Sequence, residues 1–586
     1  MKLLLALAVV LLLRVPFLNQ PIQGDDVYYL AGAEHAQIEP AHPLHFRYMF
    51  QGELVDMEGH SHPPLNAWIL GGVLALVGDI REIPFHAAYV LLSLIATASM
   101  WSLARRLSPH PLWATLLFIA VPAFVINGAS LESDLPFLAF WIAGVALFVA
   151  GRYALAALAL ALAGLAAYQA VFLTPILAVY AWLFARRSKA AWAVTIAPLV
   201  SIAGWQLFEL ATIGKLPVAV LAAHFQTYGF QSLANKLRNA AALPVHAICL
   251  VFPALIPPAI WTSRKRRDPE TIFLAAWIAI FLAGGLGIFF AGSARYLLPM
   301  AAPVALLASR LSQRWLAAGF AAQMILSLSL AFVNYQHWDG YRIFAASIAP
   351  QTANKRVWMN GEWGFYIGAQ GGLPLKKEQA VRAGDIVVTS ELGYPVHFTT
   401  GGGALTPIAQ REITADLPLR LIALHTRSAY STVDRGYLPF DISDGPIDRV
   451  RAEVVVERQP TLEYLPMNAP EAEQQLVSGV YFLEGRSRWM AGQAVILLKS
   501  PAVAKPLRVV LYIPPTAPAR RVTLSLDGKQ VAEQTFDKPG LYTLQSPPVH
   551  PANAVATLTI SPDKTFLVPG DRRELGMVLT EAGFAP

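Results

Sequence analysis

Two patterns divide the chain. Up to residue 334, long apolar runs alternate with short polar loops; beyond it, short alternating segments are separated by charged residues, glycine and proline. A membrane helix needs roughly 20 mostly apolar residues. By that measure the first part predicts eleven spans, at 1–18, 84–104, 111–128, 135–151, 153–169, 170–185, 190–208, 243–261, 271–290, 296–309 and 315–333. A further apolar run at 65–78 is short and follows Pro63-Pro64, which predicts a helix lying along the membrane surface. Counting it as a span would invert the side of every later loop.

In the second part, Arg356–Asn360 and Gly384–Thr389 read as strands with helical material between them, an α/β region over 335–450. Evenly spaced strand signals follow at Ala452–Glu457, Val495–Lys499, Leu507–Ile513, Arg521–Leu526 and Val555–Ile560, with turns at Asp527-Gly528 and Pro539-Gly540. Many short strands with regular turns predict a β-sandwich-like region over 451–586. The fold class is thus a polytopic α-helical membrane domain, 1–334, carrying a soluble C-terminal part.

Composition agrees with that class. Hydrophobic residues make up 55% of the 586 and charged ones only 14%, too apolar for an ordinary soluble protein. The formal net charge of +7 raises the question of a nucleic-acid partner. Much of it, however, lies in clusters between apolar runs: Arg105-Arg106, Arg186-Arg187 with Lys189, and Arg264-Lys265-Arg266-Arg267. This is the positive-inside pattern of cytoplasmic loops, and no nucleic acid is needed to explain it. A cytoplasmic N-terminus puts all three clusters inside and places the first loop and the C-terminal part outside. Lys2 and the first apolar run resemble a signal peptide, but no small-x-small cleavage site precedes Asp25 and Arg14 interrupts the run, so a retained helix is expected. The single cysteine, Cys249, lies in an apolar run, so disulfides have no part in the soluble region.

With sidedness set, four features share the outer face: Asp25-Asp26 and the His60-x-His62-Pro-Pro-Leu turn in loop one, Glu132-Ser133-Asp134 in loop two, and Arg295-Tyr296 at a late helix end. Acids at the rim of a membrane helix are costly and usually functional. Four carboxylates repel one another unless a cation, a metal ion or a basic side chain, lies among them. Acids beside Arg and His suit a transfer in which one acid deprotonates an acceptor hydroxyl while Arg and His stabilise a departing phosphate. Each residue also has a plain structural alternative. Asp25-Asp26 and Glu132 or Asp134 could cap helices, His60 and His62 could order the Pro-Pro turn, and Arg14 and Arg295 could reach lipid headgroups.

Gly24-Asp-Asp-x-Tyr-Tyr, His62-Pro-Pro-Leu, the loop-two acids and Arg295-Tyr-Leu-Leu-Pro-x-x-x-Pro together resemble the polyprenyl-phosphate-dependent glycosyltransferases of the C-type fold. The resemblance spans roughly 1–334 and points to the protein O-mannosyltransferases and the lipid A aminoarabinose transferase. It implies a lipid bilayer setting, the inner membrane of a bacterium with the C-terminal part in the periplasm, a polyprenyl-phosphate-linked sugar donor, a protein, lipid or glycan acceptor, inversion at the anomeric carbon, and a catalytic acid at Asp25-Asp26, with Asp25 favoured as base. His60, His62, Glu132, Asp134, Arg295, Tyr296 and Arg14 would bind substrate. Relatives often carry Asp-Glu where this chain has Asp-Asp. The aminoarabinose branch has Lys before Pro-Pro-Leu, whereas His62 is closer to the mannosyltransferase branch. Divalent metal is compatible with the pattern and not required by it. The rival readings are an aminoarabinose-type transferase acting on a lipid acceptor and, in another class, a transporter or flippase of lipid-linked sugars. A transporter would need acids at the membrane midplane and repeat-related broken helices, whereas here the acids cluster at one rim.

Overall fold

The computed structural model describes residues 1–264, 266–289, 293–362, 364–428, 436–568, 571 and 573–585; Lys265 of the third basic cluster lies outside them. Contacts divide the chain into two units, Met1–Tyr48 with Leu54–Ile343 and Glu412–Asp448, and Met49–Glu53 with Phe344–Arg411 and Arg449–Pro586.

The first unit is helical. Among the described residues three helices, Glu82–Leu107, Pro269–Ile288 and Gln313–Thr352, are long and apolar enough to cross a membrane, and two bent pairs raise the number to five. The eleven expected spans are therefore not all realised as continuous helices, and proline is the recurrent cause. A proline ring has no N–H to donate and clashes with the preceding turn. The run at 111–128 becomes Pro111–Ile119 and Pro122–Asn127. The run at 190–208 breaks between Thr195 and Ala197, just before Pro198, with a bend of 42°. The run at 243–261 breaks before Pro253 and bends by 83°. The first run is an α-helix only over Lys2–Arg14, with a 3-10 turn at Val15–Phe17 around Pro16. Conversely, the run expected over 315–333 extends to Thr352 as a single helix of 40 residues. At the centre lies Asp134–Val149, buried on nearly all sides, as expected of a helix apolar all round. It packs on Tyr153–Ala166 and Glu82–Leu107. The run at 65–78 forms the helix Leu65–Val77, entered from Pro64 and closed at Gly78, whose φ of 81° is the left-handed cap that glycine supplies.

The second unit is β-rich. Its smaller sheet has five strands in the order Leu373–Pro374, Val357–Asn360, Ile386–Ser390, Asp448–Glu457, Gly403–Ile413. Ala452–Glu457, expected as the first sandwich strand, instead belongs here: Ala452 and Val454 sit opposite Val388 and Ile386. The larger sheet has nine strands, with a path running Lys529–Phe536, Arg520–Leu526, Val555–Pro562, Ser487–Lys499, Val578–Phe584, Lys505–Ile513, Gly540–Val549. Its end strands lie near one another, so one curled sheet encloses the core where two stacked sheets were expected. Burial alternates residue by residue along Val555–Pro562, the period-two signature of a strand with one face inward. The Asp527-Gly528 turn forms as expected, both residues at positive φ (49° and 81°), the geometry that matches hairpin twist.

Candidate functional site

Loop one begins with a tight turn at Gly24, φ 43°, that starts the helix Asp26–His35. The turn sends the two neighbouring acids into different surroundings. Asp26 is fully buried. Its Oδ1 accepts from Ser130 Oγ at 2.9 Å and from the Leu131 amide at 2.8 Å, and its Oδ2 from the Gln23 amide at 3.1 Å. Burial pushes its pKa up to about 7, even though these three hydrogen bonds favour the carboxylate. The Asp25 side chain is 36% exposed and accepts from Arg295 Nη2 at 3.5 Å.

Arg295 is the cation that the crowd of acids requires. It stands in a 3-10 turn, Arg295–Leu297, at the head of the helix Leu298–Ala308. Its Nη1 pairs with Glu132 and lies 3.9 Å from Asp134 Oδ2. Its Nη2 is shared between Asp25 and the Tyr296 hydroxyl, 3.3 Å away. Asp134 opens the helix Asp134–Val149, where the positive end of the helix dipole favours an acid. Three carboxylates thus surround one guanidinium, whose Nε–H is buried with no hydrogen-bond partner among the described residues.

The two histidines lie beside this cluster. The His60 ring meets Tyr29 edge-on at 5.2 Å and His62 at 5.4 Å. Burial lowers the His60 pKa to about 4 and that of His62 well below its usual value. Both are therefore neutral near pH 7. His62 Nδ1 lies 3.2 Å from the Ala166 carbonyl. A carbonyl only accepts, so the proton is on Nδ1 and Nε2 keeps a lone pair.

Arg14, the remaining expected substrate ligand, goes elsewhere. It is buried in the bundle, donating to Ser93 Oγ at 3.0 Å and to the Val125 and Phe124 carbonyls at 2.6 Å each. It serves the carbonyls where Pro122–Asn127 ends and is not brought to the acids. A side chain at Gly128 would collide with its guanidinium.

Pattern reading missed several residues. Tyr29 lies close enough to Arg295, Asp134 and Asp25 to feel their charges, and burial raises its hydroxyl pKa. Its place in the Tyr28-Tyr29 pair after the acids was the available signal. Asn66, a polar residue in an apolar run, donates to the Leu131 carbonyl at 2.8 Å. Tyr89 donates to the same carbonyl at 2.7 Å. Among the described residues no three His, Cys, Asp or Glu side chains converge in an arrangement that could hold a metal ion.

No protein-family model matches the sequence, and no characterised protein is similar to it by sequence. Solved structures similar to this chain include ArnT from Cupriavidus metallidurans bound to undecaprenyl phosphate, at 16% identity and TM-score 0.46 over 69% of this chain and 96% of that one. Another is the arabinofuranosyltransferase AftD from Mycobacteria, at 12% identity and TM-score 0.36 over 99% of this chain and 61% of that one. A third is the S. cerevisiae protein O-mannosyltransferase Pmt1-Pmt2 complex bound to the sugar donor, at 17% identity and TM-score 0.26 over 40% of this chain and 34% of that one. At such scores the likeness assigns neither an activity nor a residue, and the functional reading rests on the site itself.

Proposed function

We propose that this chain is an integral membrane glycosyltransferase that moves a sugar from a polyprenyl-phosphate carrier to an acceptor hydroxyl on the periplasmic face, with inversion. The single observation that carries the reading is the convergence of Asp25, Glu132 and Asp134 on Arg295, with Asp25 alone substantially open.

In this mechanism Asp25 takes the proton of the acceptor hydroxyl as its oxygen attacks the anomeric carbon. The bond from that carbon to the phosphate oxygen breaks, and the polyprenyl phosphate leaves as an anion. Arg295 holds Asp25 in place through Nη2, while its unbonded Nε–H is the donor left for a phosphate oxygen. Neutral His60 and His62 add hydrogen-bonding capacity beside Tyr29. Phosphate leaves readily, so no strong general acid is required, unlike glycoside hydrolysis with its paired carboxylates.

The test is turnover of labelled undecaprenyl-phosphate mannose and undecaprenyl-phosphate aminoarabinose with membrane extract as acceptor. Asp25→Asn keeps size and one hydrogen-bonding oxygen but cannot take a proton, so transfer falls by about 10²–10⁴ while donor binding persists. Wild-type turnover by Asp25→Asn would falsify the mechanism.

A further inference from the structure

Loop two carries Glu132 and Asp134 to Arg295, yet what holds loop two lies on the far side of its backbone. The Leu131 peptide is gripped at both ends. Its N–H donates to Asp26 Oδ1 at 2.8 Å, and its carbonyl accepts from Asn66 Nδ2 at 2.8 Å and Tyr89 Oη at 2.7 Å. Tyr89 carries a single hydroxyl proton, which it shares between the Leu131 carbonyl and Asn66 Oδ1, 2.5 Å away. Asp26, Asn66 and Tyr89 are each no more than 1% exposed, and Leu131 is fully buried. They come from three elements: the start of Asp26–His35, the first turn of Leu65–Val77, and the span Glu82–Leu107.

We infer that Asp26, Asn66 and Tyr89 form a buried clamp on the Leu131 peptide that sets Glu132 and Asp134 against Arg295 and Asp25, and so governs the alignment of the transfer step without touching substrate. The inference rests on the glycosyltransferase reading for its kinetic consequence alone. Asp25 is adjacent to one jaw and Glu132 to the gripped peptide, so the clamp fixes the separation that Arg295 bridges. Buried polar groups are retained at a desolvation cost unless fully bonded, and here both ends of one peptide are. Burial of the Asp26 charge, which raises its pKa, marks a carboxylate kept at a cost to stability. A displacement of about 1 Å at a reacting group can lower a rate on the order of 10²-fold, so a loosened loop two acts on kcat rather than on donor affinity.

The experiment uses the full chain in nanodiscs with Tyr89→Phe, which removes one hydroxyl and keeps the ring, and Asn66→Asp, which cannot donate to the Leu131 carbonyl. Hydrogen exchange of the peptide covering residues 129–133 is followed beside turnover with the two undecaprenyl-phosphate sugars. Faster exchange confined to that peptide, with kcat lowered tenfold or more and KM for donor changed less than twofold, supports the clamp. Unchanged exchange overturns it. Faster exchange with wild-type kcat also overturns it, because the grip then has no bearing on alignment. Faster exchange throughout the bundle, with kcat and melting temperature falling together, reduces the three residues to general packing and overturns it as well. Wild-type protein that transfers neither sugar counts against the glycosyltransferase reading, while the exchange arm still decides whether Leu131 is held as described.

Discussion

Replacing Arg295 by alanine tests the centre of the site. The guanidinium is 8% exposed, and the side chains of Glu132 and Asp134 that face it are 12% and 7% exposed. Removing one partner from a buried ion pair costs about 3–5 kcal/mol, because the other charge is left uncompensated. Here more than one carboxylate loses its cation, although Asp25, at 36% exposure, is partly screened by solvent and adds less. A loss of about 3–5 kcal/mol corresponds to a fall in melting temperature on the order of 10 °C in a domain of this kind. Arg295→Lys keeps the charge but offers one compact point where the fork now reaches Glu132, Asp25 and Tyr296, so it should lose less stability and still transfer poorly. Glu132→Gln in the alanine background removes the most tightly paired of the abandoned charges and should recover part of the loss, a coupling of about 0.5–3 kcal/mol. Thermal unfolding of the purified protein in detergent reads the wild type and all three variants, with donor binding measured alongside. Arg295→Ala melting with the wild type, or a double variant no better than Arg295→Ala, would refute the idea that Arg295 neutralises these acids.

Three further outcomes are expected. Burial raises Asp26 from 3.8 to about 7, so the folded state holds the proton more tightly, and its contribution to stability is full below about pH 4 and lost as pH rises through about 7; Asp26→Asn should gain stability on the wild type between pH 5 and pH 8, and parallel melting curves would contradict the burial argument. In the second unit, burial lowers the His397 pKa, but Glu378 at 2.8 Å and Glu473 outweigh it and raise it from 6.5 to about 9. Its contribution is therefore present below about pH 6.5 and lost as pH rises through about 9, a slope that His397→Gln should remove from the melting curve. Reporters fused after Arg106 or Arg267 should read cytoplasmic and one at the C-terminus periplasmic; the reverse pattern would put Asp25 on the wrong side for an extracytoplasmic acceptor.

Much of this was legible in the chain because the signals were physical and local. Apolar runs located the helices, and the turn chemistry of Asp527-Gly528 located a hairpin. Continuity was harder to read. A hydropathy window does not weigh Pro122, Pro198 or Pro253, each of which removes a donor and splits an apolar run into shorter helices. Strand partners were beyond reach as well. Ala452–Glu457 looks like its sandwich neighbours in sequence, and only long-range pairing with Ile386–Ser390 assigns it to the other sheet. At the site, residue types named the charged groups, but Asn66 and Tyr89 bond a backbone carbonyl, and no side-chain pattern announces that. Arg14 and Arg295 looked equivalent at helix ends, yet one meets carbonyls and the other carboxylates.

Asp25 and Asp26 make the same point at the smallest scale. They are chemically identical and adjacent, so composition cannot rank them. Starting a helix at Asp26 turns one side chain inward, beneath loop two, and leaves the other at the helix entrance beside Arg295. The inner acid is fully buried beneath three donors and has no face open to a substrate. The outer one retains open surface and a single long contact to the guanidinium. A proton acceptor must lie within hydrogen-bond reach of the proton it removes, and only the outer acid can satisfy that. In the proposed mechanism, division of labour within the pair follows from the direction of one turn. If that turn is what ranks them, Asp25→Asn should be lost in turnover and Asp26→Asn chiefly altered in loop-two order. Equal loss of turnover, with loop-two exchange unchanged in both variants, would show that the two acids act as one.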